Sequence, residues 1–252
     1  MRVIQRINTV LHLKKILPRP RTAAVILAGG IGTRMRSNKP KQMLMLGDKP
    51  IWVHTALAFQ KSRFIDEIVL VVRSEDIAQV KMMCYTWKLK KCKAVVAGGD
   101  TRQESAINGF RAITSKVAYV AFHDAARCLI TPSQIGEVAI AAYAYGAASA
   151  ASRAIDTVKV ANQYGFIDKT IPREQVWMAA TPQMFQVAYY AAALQLAAEQ
   201  GVSVTDDNSL MELIGQRVKL VDTGSDNFKI TLPSDLARAE LILRARGKHD
   251  GL

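Results

Sequence analysis

A chain of 252 residues, half of them apolar and 22% charged, is long enough to bury one sizeable core and too apolar to remain disordered. Its three cysteines, Cys84, Cys92 and Cys128, form no Cys-x-x-Cys pair and leave an odd count, which argues against a disulfide scaffold or a cysteine zinc site and suits a reducing cytoplasm. The formal charge of +13 invites a nucleic-acid reading, but six basic residues and no acid fall within residues 1–21, and no basic cluster interleaved with aromatics follows, so nucleic acid is not expected as a partner.

In chain order, residues 1–21 come first as a basic leader. Val3, Ile7, Val10 and Leu11 recur at helical spacing until Pro18-Arg-Pro-Arg21 stops any helix. Arg6, Asn8, His12, Lys14 and Lys15 interrupt the apolar run that a signal peptide needs; the leader is expected to be a poorly ordered extension, with a basic amphipathic helix touching a membrane surface as the alternative. The most apolar stretch elsewhere, Val138 to Ala151, is too short to span a bilayer, and no stable membrane insertion is expected.

From residue 22 to 252 the pattern reads as a single domain. Short apolar runs at Ala23–Leu27, Glu67–Val72, Lys93–Ala97, Val117–Phe122 and Ala147–Ala151 predict strands. Between them, helices are predicted near Ile51–Lys61, Glu75–Lys90, Arg102–Ile113 and Thr131–Tyr145, the last opened by Thr131 as cap with Gln134 three residues on. This alternation predicts an α/β fold: a Rossmann-like, mostly parallel twisted sheet with helices on both faces. Thr157–Ala161 and Phe166–Thr170 then read as a hairpin projecting over about residues 155–173. Helices near Val187–Glu199, Asp206–Ile214 and Ser234–Arg246 and strands near Val218–Val221 and Phe228–Thr231 close the chain.

The first strand runs into Leu27-Ala-Gly-Gly-Ile-Gly-Thr-Arg-Met35, followed by Pro40-Lys41-Gln42. Glycines there let the backbone turn its amides toward an anion, and a triphosphate fits such a cradle. No Gly-Lys-Ser/Thr follows, so this is not a Walker loop, and Met35 stands where a dinucleotide fingerprint has its third glycine. Arg34 and Lys41 beside the loop supply the positive charge that phosphoryl or nucleotidyl transfer needs in its transition state. Further blocks follow: Gly98-Gly-Asp-Thr-Arg102 with Ser105, His123-Asp-Ala-Ala-Arg127, Asp156-Thr-Val-Lys159, Arg173 with Trp177, Thr181-Pro-Gln183, Thr205-Asp-Asp207 and Asn227-Phe-Lys-Ile-Thr231.

In this order the blocks resemble the 2-C-methyl-D-erythritol 4-phosphate cytidylyltransferases of the non-mevalonate isoprenoid pathway, over about residues 22–246. The resemblance implies the nucleotidyltransferase fold and transfer of CMP from CTP to a small polyol phosphate. It puts Ala28, Gly29, Gly30 and Gly32 on the CTP phosphates and ribose, and Gly99, Asp100 and Ser105 on the cytosine. Arg34, Lys41, Arg173 and Lys229 become the catalytic cations. Asp124, Arg127, Thr157, Thr181 and Thr205 become substrate contacts, with Thr157 and Arg173 reaching from the arm into a neighbouring subunit of a homodimer. Magnesium is implied as the bridge between CTP oxygens, with Asp124 as the one protein group that would touch it. Ribitol 5-phosphate cytidylyltransferases share very similar blocks, and Trp177 after Arg173 favours the methylerythritol enzyme; a non-catalytic nucleotide-binding regulator is the alternative of another class. Cys128, Arg153 and Ala180 depart from the usual family residues near the substrate end.

Overall fold

The computed structural model describes residues 19–30 and 40–249. Its elements in chain order are β1 (Thr22–Leu27), a 3-10 turn (Lys41–Met43), β2 (Met45–Leu46), β3 (Lys49–Pro50), α1 (Ile51–Lys61), β4 (Glu67–Val72), α2 (Ile77–Thr86) and β5 (Cys92–Ala97). Next come α3 (Arg102–Arg111), β6 (Tyr119–Asp124), α4 (Pro132–Tyr145), β7 (Ala147–Arg153), β8 (Val158–Ala161) and β9 (Ile167–Ile171). The remainder is β10 (Trp177–Gln186), α5 (Val187–Gln200), α6 (Asp207–Leu213), β11 (Lys219–Asp222) and α7 (Pro233–His249).

Seven strands form one sheet in the order β11-β7-β10-β6-β1-β4-β5. β6, β1, β4 and β5 run parallel, as do β7 and β11, while β10 lies antiparallel between β6 and β7. β1 lies inside the sheet with all but its last residue buried, and it reads accordingly as a continuous apolar run rather than an alternating one. Its residues still divide between two layers. Ala24 and Ile26 pack with Trp52, Phe59, Val80 and Val138 under α1, α2 and α4, whereas Val25 packs with Ala106, Tyr190 and Leu210 under α3, α5 and α6. Fully burying a side chain of this size contributes roughly 1.5–3 kcal/mol, so the two layers hold the strand ends from which the loops emerge. A third cluster docks α7 through Ala239 against Leu46, Ile51 and Ile230, and it takes in Cys128, whose thiol burial pushes up to about 12.

The predicted strands and helices recur with informative shifts. The fourth predicted strand lies two residues later, at Tyr119–Asp124, which makes Asp124 its last residue. α2 ends at Thr86 rather than Lys90, because Lys88 turns into the left-handed region at φ 52°. The Thr131–Gln134 capping box is present, with Gln134 also donating to the Thr223 carbonyl at 2.6 Å. Phe228–Thr231, predicted as a strand, is irregular: its alternation arises because Ile230 is buried in the third cluster, and the Ile230 amide donates to the Ala126 carbonyl at 2.9 Å. The sequence does not predict β10. Pro182 argues against a central strand, yet it sits where the pairing slips between Ala179 and Gln183, so its missing N–H costs no ladder bond.

β8 and β9 form the predicted hairpin and pair only with each other among the described residues. Its turn is tied by Asn162 Oδ1, which accepts from the Tyr164 and Phe166 amides at 3.0 and 3.1 Å. Of the leader, residues 1–18 lie outside the described residues. Arg19 forks onto Asp66 at 2.7 and 2.8 Å, and Asp66 also accepts the Thr22 amide, at the start of β1.

Candidate active site

The carboxyl ends of β6, β1, β4 and β5 share one edge. Leu27 stands opposite Asp124 in the β1–β6 register, the Ala28 amide donates to the Val71 carbonyl at 2.7 Å, and the Gly98 amide to the Val72 carbonyl at 2.8 Å. Ligands of open α/β sheets bind beyond this edge. Ala28, Gly29 and Gly30 leave β1 there. The Gln42 side-chain amide donates to the Gly30 carbonyl at 2.7 Å, which fastens the 3-10 turn that carries Lys41 to the end of the glycine segment. Lys41 is buried, 8% exposed. Gly32 and Arg34 lie outside the described residues.

The second block folds its loop down onto a helix start. Thr101 and Glu104 form a reciprocal capping box at α3, and the Gly99 amide donates to the Ser105 hydroxyl oxygen at 3.1 Å. A Cβ on Gly98 or Gly99 would collide with Ser105 or Glu104, so only glycine permits this approach. Gly99 and Asp100 are exposed, and their backbone groups stand ready beside Ser105 at the positive end of a ten-residue helix.

Asp124 anchors the third block. Its Oδ2 accepts from Lys229 Nζ at 2.8 Å and lies 3.9 Å from Arg127 Nε, while Oδ1 lies 3.6 Å from Arg102 Nε. Burial alone would raise this carboxyl. Lys229, Arg102 and Arg127 outweigh it and hold Asp124 well below the usual carboxylate range, so it is an anion at any ordinary pH.

Neighbouring hydrogen bonds fix the cluster's frame. His123 Nε2 lies 3.2 Å from the Arg127 carbonyl, which can only accept, so Nε2 carries the proton and Nδ1 is left as an acceptor. The Thr181 hydroxyl, 3.0 Å away, therefore donates to Nδ1 and accepts the Asp124 amide at 3.1 Å. Complete burial keeps His123 neutral, with its pKa lowered to about 3. Asn227 closes the frame: its side-chain amide donates to the Thr181 carbonyl at 2.8 Å, and its own carbonyl accepts from Arg127 Nη1 at 2.9 Å.

Asp124, Arg127, Thr181 and Lys229, expected from three separate blocks, thus meet in one network. Thr157 and Arg173 do not join it within the chain. Both are exposed at the base of the arm, where Arg173 Nη1 donates to the Ile155 carbonyl at 3.3 Å. Thr205 is exposed on a groove of about 660 Å³ shared with Ala179, Asn208, Ser209 and Arg217, and the next residue, Asp206, caps α6. The Asn208 side-chain amide steadies that cap, donating to Asp206 Oδ2 at 3.1 Å and to Ser149 Oγ at 3.0 Å.

Three side chains of the network carry no role in the sequence reading: Arg102, His123 and Asn227. All three stand inside the quoted blocks, which is the signal that could have found them, but only the fold brings them together. The family departures are absorbed locally. Arg153 stacks on Trp177 with 4.3 Å between guanidinium and ring, at the foot of the arm, and Ala180 is buried with its carbonyl 3.4 Å from Ser149 Oγ. Among the described residues no group of three or more His, Cys, Asp or Glu could hold a metal ion, and no helix is long and apolar enough to cross a membrane.

The chain is similar to known proteins over nearly its whole length. Residues 22–245 match the family model described as 2-C-methyl-D-erythritol 4-phosphate cytidylyltransferase. The curated protein of that name from Syntrophus aciditrophicus is 39% identical over 227 residues, covering 90% of this chain and 97% of the relative. Its namesake from Desulforamulus reducens is 40% identical over 228 residues, covering 88% and 96%. Among solved structures, the 4-diphosphocytidyl-2C-methyl-D-erythritol synthase of Anaerococcus prevotii superposes with a TM-score of 0.79 at 27% identity, covering 89% of this chain and 96% of that one. The cytidylyltransferase of Thermus thermophilus does so with a TM-score of 0.72 at 28% identity, covering 90% and 100%. With the matched residues spanning every block of the site, the chain belongs to the 2-C-methyl-D-erythritol 4-phosphate cytidylyltransferase family.

Proposed function

We propose that the chain transfers CMP from CTP to the phosphate of 2-C-methyl-D-erythritol 4-phosphate, giving 4-diphosphocytidyl-2-C-methyl-D-erythritol and pyrophosphate in isoprenoid precursor synthesis. The observation that carries this reading is the convergence of Arg102, Arg127 and Lys229 on Asp124 at the strand edge where the glycine segment begins. In the reaction a phosphate oxygen of the substrate bonds to the α-phosphorus of CTP while the bond to the bridging oxygen breaks and pyrophosphate leaves.

Two anions must approach each other, so the residues act by positioning and by charge. Ala28, Gly29, Gly30 and Gly32 cradle the triphosphate, Arg34 and Lys41 face the charge that builds at the α-phosphorus, and Gly99, Asp100 and Ser105 read the cytosine edge. Lys229 and Arg127 orient the substrate phosphate, with Thr181 and Thr205 beside it. Magnesium would come to this site on the CTP phosphates, since the three cations around Asp124 leave that carboxylate little capacity for a further positive partner. Asp124 is one carboxylate in a cationic cluster, and magnesium keeps several waters and takes oxygens from substrate phosphates rather than needing a protein cage. When bound with CTP, the ion would offset charge on the phosphate oxygens.

A homodimer completes the reading. Ile155, Tyr164, Phe166 and Ile167 are exposed on the arm, and a two-stranded hairpin is marginal by itself. A second copy would cover these side chains and receive Thr157 and Arg173 beside its own cleft. The cysteine pattern favours a cytoplasmic setting. The test is pyrophosphate release by the purified protein, with CTP, UTP or ATP paired with methylerythritol phosphate or ribitol 5-phosphate. CTP with methylerythritol phosphate should be fastest; equal turnover with another pair overturns the assignment.

A further inference from the structure

The base-side loop and the Asp124 cluster meet through one side chain. Arg102 is the first residue of α3, two positions after Asp100. Its Nη1 lies 2.8 Å from Asp207 Oδ2 and its Nε 3.6 Å from Asp124 Oδ1. Asp207, at the start of α6, is itself fixed: it is 1% exposed, its Oδ1 accepts the Tyr190 hydroxyl at 3.0 Å, and its amide donates to Gln183 Oε1 at 3.0 Å. Lys229 and Arg127 both approach the other oxygen of Asp124, Oδ2.

We infer that Arg102 is a positioning residue for the transfer reaction: held by Asp207, it keeps the Asp124 carboxylate oriented toward Lys229 and Arg127. The inference rests on the function proposed above. Its physical basis is the division of Asp124 between its two oxygens. With Arg102 withdrawn, the pull on Oδ1 is lost and the carboxylate is free to turn toward the two cations on Oδ2. Lys229 and Arg127 would then hold the substrate phosphate less well, and misplacement of about 1 Å can cost on the order of 10²-fold in rate. A lysine at position 102 keeps the charge but lacks the planar fork, so it can serve Asp207 or Asp124 and not both.

The experiment measures Arg102→Lys, Asp207→Asn and the double variant by steady-state kinetics, varying CTP and methylerythritol phosphate separately, alongside calorimetric binding of methylerythritol phosphate and thermal melting. Arg102→Lys should lower kcat about 10–100-fold and weaken methylerythritol phosphate binding, while KM for CTP and the melting temperature stay close to wild type. Asp207→Asn should move kcat the same way, and the double variant should be no worse than the poorer single one, because both break one connection. Wild-type kinetics in Arg102→Lys, or a fall in melting temperature with unchanged kinetics, overturns the inference. So does normal turnover in folded Asp207→Asn when Arg102→Lys is impaired, since Arg102 would then act without its anchor. If Asp207→Asn does not fold, Arg102→Lys decides by the same criteria. Failure of the wild-type protein to turn over CTP with methylerythritol phosphate overturns the functional reading instead.

Discussion

The Asp124 cluster and the hairpin arm differ in what satisfies them. Every element of the cluster is braced from several directions within one chain: β6 carries Asp124 and His123, β10 brings Thr181, and the segment before α7 brings Asn227 and Lys229. The arm has two strands that bond to each other, a row of exposed apolar side chains, and Arg173 with more than half of its side chain open to solvent. The cluster is held together by contacts from within one chain, whereas the apolar side chains and Arg173 of the arm stay exposed. The difference is that Asp124, Arg127, Thr181 and Lys229 meet within one chain, while Thr157 and Arg173 stay apart from them at the base of the arm.

The largest expected effect lies beside the cluster, on the turn fastened to the glycine segment. Lys41→Ala should lower turnover by about 10²–10⁴-fold, the order found when a preorganised charge contact is removed, with circular dichroism unchanged. Wild-type turnover would show that the buried turn holding Lys41 is only a support. Arg173→Ala should also lower turnover, by about 10-fold or more, but through the neighbouring site. Mixing the two variants should then restore activity, because one site of a mixed dimer holds both intact residues. If proven subunit exchange brings no recovery, Arg173 serves its own subunit or no site, and the contrast between the regions collapses.

A smaller effect concerns the frame around Asp124. His123 has its pKa lowered to about 3 in the folded protein, against about 6.5 when unfolded. The unfolded chain therefore binds the proton first, and the stability tied to neutral His123 is present above about pH 6.5 and is lost as pH falls toward 3. Between pH 7 and pH 5 the wild type should lose about 2 kcal/mol that a folded His123→Gln variant does not lose. Urea melts at the two pH values give the comparison, and equal slopes would mean that His123 is protonated or solvated in the native state. The arm, which holds no histidine, should contribute nothing to that slope.

The smallest effect lies at the amino terminus. Removing residues 1–18 should leave turnover unchanged. Removing residues 1–20 also deletes Arg19 and its partly exposed pair with Asp66, at a cost of about 0.2–1 kcal/mol that salt should diminish. A loss of turnover in the shorter truncation would connect the leader to the site.

Much of this architecture was legible in the sequence because its signals are local. A buried parallel strand reads as an apolar run, and Thr131-Pro-Ser-Gln134 reads as a helix start because the cap and its partner are three residues apart. β10 was not legible. Its proline breaks the local rule, and only the slip in pairing with β7 makes that proline harmless. Phe228–Thr231 misled in the opposite direction, since Ile230 alternates with polar neighbours to reach a core under α7 without joining any sheet among the described residues.

By itself, then, the sequence determined the alternation of strands and helices, the hairpin and the ordered blocks of reactive residues, all of which depend on neighbours within a few positions. Only the tertiary structure decided that Arg102, 22 positions before Asp124, spans the distance to Asp207, and that His123, Thr181 and Asn227 lock one another in place. The physical reason is that a charge or a hydrogen bond takes its partner from space. Which distant residues meet is fixed by the packing of apolar layers on the two faces of the sheet, and that packing carries no short-range mark in the chain.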